Sequence, residues 1–277
     1  MFLWPNPVYF ISMDMKKKEE RQYFDKEWKD MKASLKSYLR DEGPEDLHQF
    51  RVQVKKLYAF LTLAGSVEHH QRLTKHFKPV KGVFKRAGDI RNVYINLELG
   101  KANQINNSAF ANSQHQLLEN ATEKFKLNKV KHLKKIKGAY KVLKNEIKPI
   151  SDIYINLFYQ NRLQQISNYL AALKFNDQLH KSRKLVKILM YNNKLVHAKL
   201  DISFNRDYLD RVQTAIGEWH DNMLATRLLL NYEAKDKLEV ISLKKAHTKL
   251  KNQITALVKD FYNQATTVVE VPVEQVS

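Results

Sequence analysis

A nine-residue basic pattern occurs twice in this chain, and this repeat constrains the architecture more than any other feature of the sequence. The first copy runs from Leu47 to Lys55 and the second from Leu179 to Lys187, 132 positions later, and both read L-H-x-x-R-x-x-x-K. A looser element follows each copy: residues 87–92 read AGDIRN and residues 216–221 read IGEWHD, at an offset of 129. Two elements in the same order indicate an internal duplication, and therefore a fold of two related halves.

The composition and the apolar periodicity predict that both halves are helical. The 277 residues include only seven glycines and six prolines, too few for the turns of an all-β fold. Apolar spacings of three to five residues predict helices at residues 15–40, 46–64, 79–99 and 115–148, with a loop at 101–114, and then at 153–173, 177–198, 207–232 and 237–267. We therefore expect an all-α fold with four-helix repeats at 15–148 and 149–268, followed by a short tail at 269–277.

Each copy of the pattern predicts a helix with one basic face and one apolar face. At about 100° per residue, His48, Arg51 and Lys55 fall within an arc of roughly 60°. The opposite side of the first helix carries the apolar residues Leu47, Phe50, Val54, Leu57, Leu61 and Ala64. The second helix presents His180, Arg183 and Lys187 in the same way, and Lys194 extends its row by two more turns.

The excess of cations indicates an anionic partner. Lys and Arg number 48 against 29 Asp and Glu, a net charge of +19, which is compatible with nucleic acid, an acidic membrane surface or polyphosphate. Like charges stacked at i,i+4 cost a few tenths of a kcal/mol, and a bound polyanion would offset that cost. Two alternatives stay open: acidic side chains of neighbouring helices neutralise the row, or the two histidines serve only the structure.

Two further rows of lysines add candidates for the binding site. Lys78, Lys81 and Lys85 lie opposite Phe77, Val80 and Phe84, and Lys81 and Lys85 lead directly into the first glycine element. The predicted fourth helix carries the row Lys134, Lys137, Lys141, Lys144 and Lys148, from which Lys141 joins the candidates. The alternative for this row is a solvated helix face.

Patterns typical of enzymes and membrane proteins are absent from the sequence. The chain has no cysteine, and its glycines form neither a P-loop nor a G-x-G-x-x-G motif. His69, His70 and His76 do not indicate a metal site, because adjacent histidines point apart on a helix and no carboxylate cluster accompanies them. His220 and Asp221 do not indicate an acid–base pair, because sequence neighbours on a helix also point apart. The apolar segment 1–11 lacks a basic region and contains two prolines, so it resembles no signal peptide. We expect a non-catalytic intracellular protein with no cofactor, no metal and no membrane insertion.

The paired motifs resemble the CHAD family, the conserved histidine α-helical domain, over nearly the whole chain. The resemblance implies two pseudo-symmetric four-helix bundles that bind inorganic polyphosphate in a basic central groove or channel. It also implies a cytoplasmic location, often near polyphosphate granules. The phosphate-contacting pattern of the family matches His48, Arg51, Lys55 and Lys56 in the first half and His180, Arg183 and Lys187 in the second.

The sequence departs from the family pattern at a few positions. Tyr58 and Met190 stand where the family often has another basic residue, and Asn92 replaces the acid of the first glycine element. Arg91 in that element remains a candidate for contact with phosphate. The E-x-E-x-K strand of the triphosphate tunnel enzymes, to which such domains are sometimes fused, is absent.

The distribution of aromatic residues favours polyphosphate over nucleic acid as the partner. Proteins that bind single strands interleave aromatic side chains with cations so that bases stack on them. On the two motif helices only Tyr191 falls within the basic face. We therefore expect polyphosphate binding, with nucleic-acid binding through the same surface as the alternative.

Overall fold

The computed structural model describes residues 7–66, 72–103, 105, 107–232 and 238–267, with side chains from residue 18 onward. Every regular element in these ranges is helical, which confirms the predicted all-α fold. The helices are α1 (Pro7–Asp41), α2 (Pro44–Ala64), α3 (Leu73–His76), α4 (Lys78–Ala102), α5 (Ser108–Leu127), α6 (Lys129–Glu146), α7 (Asp152–Ala171), α8 (Asp177–Val196), α9 (Arg206–Tyr232), α10 (Leu238–Leu257) and α11 (Phe261–Thr266). A 3₁₀ turn, His197–Lys199, follows α8.

In the first half, α1 to α6, the motif helix α2 packs against α1, α3 and α4. Helix α1 lies along α2, while α4 contacts both α2 and α6. The predicted apolar side of α2 is buried throughout, and its residues Leu47, Phe50, Leu57 and Leu61 have no exposed surface. Burial of one stripe fixes the rotation of α2 about its axis, so the basic face points away from this core.

The second half, α7 to α11, contains the other motif helix, α8. Helix α8 packs between α7 and α9, and Leu179, Val186 and Leu189 are buried. The last helix of each half packs against the first and the third long helix of the same half. Helix α6 contacts α1 and α4, and α11 contacts α7 and α9. These parallels agree with a duplicated plan, although the duplication itself stays a prediction.

The two halves contact each other through their corresponding helices. Motif helix α2 packs against motif helix α8, and the glycine-containing helices α4 and α9 also meet. At the α2–α8 contact the fully buried side chain of Asn192 donates a hydrogen bond from Nδ2 to the carbonyl oxygen of Ala59, at 3.0 Å. The predicted boundary between the repeats lies at Pro149, in the connection between α6 and α7.

Several predicted helix boundaries are wrong. Helix α1 begins at Pro7 rather than at residue 15, and polar caps explain two further differences. Helix α5 begins at Ser108 inside the predicted loop, because the Asn107 side chain accepts a hydrogen bond from the backbone N–H of Phe110. The predicted helix 115–148 is two helices, since the Asn128 side chain donates to the carbonyl of Lys124 and ends α5.

The last predicted helix, 237–267, also divides in two. Asp260 adopts the left-handed conformation, with φ 58°, between α10 and α11. The short helix α3 was not predicted. Predictions for residues 1–6, for His69 and His70 and for the tail 269–277 lie outside the described residues.

No helix among the described residues is both long enough and apolar enough to cross a membrane.

The buried hydrogen bond of Asn192 leads to a prediction for stability. Replacing Asn192 by alanine should lower the free energy of unfolding by about 1–2 kcal/mol, because a buried hydrogen bond is lost and a small void remains. Urea unfolding measures this change. Asn92, which is exposed on α4, is the control, and its replacement by alanine should change the free energy by less than about 0.5 kcal/mol. Equal effects at the two sites would contradict a role of this bond in joining the motif helices.

Candidate functional site

The packing of α2 on α8 brings the predicted cations of both halves together. The side chains of this group are half-buried rather than fully solvated: His48, Arg51, Lys55 and Lys56 from α2, Arg91 from α4, and His180, Arg183 and Lys187 from α8. We call these eight residues the basic groove, after the shape that the family resemblance implies. Half-burial distinguishes them from an ordinary solvated lysine face.

In the first half, Arg51 is held against the backbone of α4. Its Nη1 donates to the carbonyl oxygen of Phe84 at 2.9 Å, and its guanidinium carbon lies 4.2 Å from the centre of the Phe84 ring. A Cβ atom at Gly88 would lie 2.5 Å from the same nitrogen, so the guanidinium occupies the space that a side chain at Gly88 would need. Gly88 therefore provides the space in which the Arg51 guanidinium packs, and we call this arrangement the seating of Arg51 on Gly88.

In the second half, Arg183 makes the corresponding contact with α9. Its Nε donates to the carbonyl oxygen of Gln213 at 2.9 Å, and a Cβ atom at Gly217 would lie 2.8 Å from its Nη2. In both halves the accepting carbonyl belongs to the residue four positions before the glycine. Each of these bonds takes one of the five N–H donors of a guanidinium and fixes its plane.

The charges of the two halves meet at Lys55. Its pKa is lowered to about 8, first by burial and then by the cations Arg51, Lys187 and Arg183 and, more weakly, Arg91. The pKa of Lys187 is also lowered, by burial and by Arg183, while Asp210 and Asp221 partly oppose this shift. The groove therefore holds a positive potential in which a bound anion would stabilise the protonated lysines.

The two motif histidines lie close enough to these cations to be affected by their charge. The pKa of His48 is lowered by burial and by Arg91. The pKa of His180 is lowered to about 4 by burial, by Lys184 and by His220, whose ring stacks on that of His180 with the centroids 4.8 Å apart. His180 is consequently neutral at pH 7 in the absence of an anion.

Acidic side chains neutralise only part of the groove. Lys56 pairs with the largely buried Glu27 at 3.5 Å, and Arg91 pairs with the exposed Glu98 at 3.2 Å. Within the described ranges, no carboxylate lies within 4.0 Å of the charged nitrogens of the other members, which are His48, Arg51, Lys55, His180, Arg183 and Lys187. Carboxylates of neighbouring helices therefore form no ion pair with these six residues, and they act only at longer range, Asp89 on Arg51 and Asp210 and Asp221 on Lys187.

Four predicted site residues lie on exposed surface. The Nζ atom of Lys81 lies 4.6 Å from the centre of the Tyr58 ring. Lys85 is exposed on α4, and Lys194 is exposed near the end of α8. Lys141 is exposed on α6, a helix that packs on α1, α3 and α4, and no described contact joins it to the groove. Its neighbour Lys144 pairs with Asp25 at 3.3 Å, so the α6 row is partly neutralised.

Several contributors to the groove were not predicted from the sequence. The carbonyls of Phe84 and Gln213 are backbone groups without a sequence signal of their own. The sequence offers one indication of them, because both acceptors stand four positions before a glycine. His220 belongs to the second glycine element, and its Nδ1 lies 3.7 Å from Oδ1 of Asp221, but the sequence does not predict that its ring stacks on that of His180.

Clusters of potential metal ligands are not found among the described residues. His76 pairs with Glu146 at 3.3 Å, which accounts for one of the histidines considered above.

The seating of Arg51 on Gly88 predicts different effects for two glycines of the same helix. Alanine in place of a helical glycine stabilises by about 0.5–1 kcal/mol, and Gly82 has no atom within 4 Å of a built Cβ. Gly82→Ala should show this gain in urea unfolding. Gly88→Ala should not, because its methyl group displaces the guanidinium from the Phe84 carbonyl. Equal stabilisation by the two substitutions would show that the seating is not required.

Comparison with known proteins identifies the family. The family model of the CHAD domain matches residues 22–230. The crystal structure of the CHAD domain from the plant Ricinus communis is similar in fold, with a TM-score of 0.61 and 14% sequence identity over 87% of this chain and 91% of that one. No curated protein sequence matches the chain. Because the family model spans α1 to α9, including both motif helices and both glycines, the protein belongs to the CHAD domain family.

Proposed function

We propose that the protein binds inorganic polyphosphate, without catalysis, along the basic groove between α2 and α8. The observation that carries this proposal is a set of half-buried cations from both halves that form no ion pair within the described part of the chain, with Arg51, Lys55, Arg183 and Lys187 at its centre. Cations held together against their mutual repulsion are stabilised by an anion with several closely spaced charges. The family resemblance implies the same ligand.

The two arginines are oriented in advance for phosphate. A guanidinium presents a planar fork of donors that matches phosphate oxygens, whereas a lysine acts as a flexible point charge. Arg51 and Arg183 are each fixed by one backbone carbonyl. Little side-chain freedom remains to be lost on binding, which favours affinity.

The aromatic residues near the groove favour polyphosphate over nucleic acid. The Phe84 ring is covered by Arg51 and the Tyr58 ring by Lys81. Tyr191 is half-buried, and burial raises the pKa of its hydroxyl. Bases would therefore find few free aromatic faces on which to stack, and a chain of phosphates needs none.

A cytoplasmic location, with association with polyphosphate granules, forms part of the same proposal.

The first test removes the two arginines one at a time. Charge-assisted hydrogen bonds contribute about 1.5–3 kcal/mol each, so Arg51→Ala and Arg183→Ala should each weaken polyphosphate binding roughly ten-fold or more. Lys36→Ala is the control, because Lys36 is exposed on α1, and it should leave affinity nearly unchanged. Circular dichroism checks that each variant is folded. If both folded arginine variants bind as tightly as the parent, the groove is not the binding site.

The second test uses salt and a competing nucleic acid. The six Lys and Arg side chains of the groove should give a slope of log affinity against log salt of about −4 at pH 7, if the value for single strands applies. An affinity that is unchanged between low and high salt would contradict electrostatic binding. Single-stranded DNA at equal charge concentration should displace long-chain polyphosphate poorly. Efficient displacement would favour nucleic acid as the natural ligand.

A further inference from the structure

The two halves of the basic groove differ at one corresponding position. Arg91 lies three residues after Gly88 on α4, and His220 lies three residues after Gly217 on α9. Each of these side chains interacts with the histidine of the motif helix that faces it, Arg91 with His48 and His220 with His180. The first half therefore carries a guanidinium where the second half carries an imidazole.

The rings of His180 and His220 form a close pair. Their centroids are 4.8 Å apart and their planes are inclined by 25°. Both residues are half-buried, and the Nδ1 atom of His180 is buried with no hydrogen-bond partner among the described residues. A buried ring nitrogen without a partner costs free energy unless a ligand or a water molecule forms a hydrogen bond with it.

Charged groups from two helices set the protonation of this pair. From α8, Lys184 and Arg183 oppose a positive charge on His180, and Asp177 favours one. From α9, His220 opposes it, and Asp221 lies 3.7 Å from His220. Cations therefore predominate around His180 in the absence of a ligand.

Charged groups of the neighbouring helices make their described contacts with other partners. Arg162 on α7 donates to Gln165 of its own helix. His247 on α10 contacts Asn222, at 3.3 Å from its side-chain oxygen. On α2, Lys55 interacts with Arg183 and Lys187.

We propose that His180 and His220 form a phosphate subsite that takes up a proton when the polyanion binds. This inference rests on the proposed function. A phosphate oxygen beside the pair adds negative charge and an acceptor, so it favours an imidazolium N–H that the surrounding cations otherwise oppose. Two rings this close cannot both carry a charge easily, so uptake should not exceed about one proton.

Proton uptake makes affinity depend on pH in a defined direction. The bound state holds the proton more tightly than the free state, so affinity rises as the pH falls through the range in which the histidines titrate. Linkage limits the effect to ten-fold per pH unit for one proton. We expect polyphosphate to bind about three- to ten-fold more tightly at pH 6 than at pH 8.

The decisive variant is His220→Arg, which gives the second half the permanent charge that Arg91 supplies to the first. It should bind at pH 8 at least as tightly as the parent and should lose the part of the pH dependence that comes from the histidine pair, while the part that comes from Lys55, whose pKa is about 8, remains. His220→Gln should bind more weakly than the parent at pH 6, also with reduced dependence. His197→Gln is the control, because His197 is exposed on the 3₁₀ turn of the same half, and it should behave like the parent.

Proton uptake is measured by calorimetric titration with long-chain polyphosphate at pH 6.5 in two buffers of different ionisation enthalpy. Long chains are used because the titratable terminal phosphates then contribute little. We expect a clear uptake by the parent and by His197→Gln, and a smaller one by both His220 variants. The inference is overturned if the parent binds without uptake, or if His220→Arg retains the full uptake. Absence of any binding at pH 6 and at pH 8 would instead overturn the proposed function, and this inference with it.

Discussion

The seating of an arginine on a helical glycine is the interaction on which the rest of the groove depends. A guanidinium reaches the backbone of the facing helix only where no side chain stands in its way, so Gly88 determines where Arg51 lies and Gly217 does the same for Arg183. The accepting carbonyl one turn earlier uses its second lone pair and leaves the helix intact. Each contact orients a cation and also fixes the distance between two helices.

The groove is kept together by packing, against its own electrostatics. The lowered pKa of Lys55 shows that its burial and its cationic neighbours disfavour its charge. The free energy that holds this arrangement comes from the opposite face of the helix, where Leu47, Phe50 and Leu57 are completely buried. The folded protein thus holds cations that repel each other close together, at the site where a bound anion would reduce their repulsion. A surface row of lysines would relax by moving into solvent, and half-buried side chains on two packed helices have less freedom to do so.

Much of this arrangement could be predicted from the sequence, because helical periodicity converts spacing into direction. The basic and apolar faces of α2 and α8 follow from side-chain spacing alone, and the structure has both. The sequence did not reveal the breaks at Asn128 and Asp260, because local caps end these helices while the apolar periodicity continues past them. Lys141 shows the opposite difficulty, since a regular row of lysines has the same pattern whether it lines a site or faces solvent. The backbone acceptors and the stacking of His220 on His180 needed coordinates, because neither depends on a local pattern.

The contact between the halves explains why a doubled basic motif matters. One half alone would present His48, Arg51 and Lys55 as a row on one side of a helix, open to solvent and to screening by salt. Packing α2 on α8 places a second row beside the first and removes part of both from water, which strengthens their interaction with any anion between them. The buried Asn192 lies in the same contact, so its hydrogen bond helps to set the register between the two rows. The groove is therefore a property of the interface between the halves, and binding should be sensitive to changes in that interface even where no charged residue is altered.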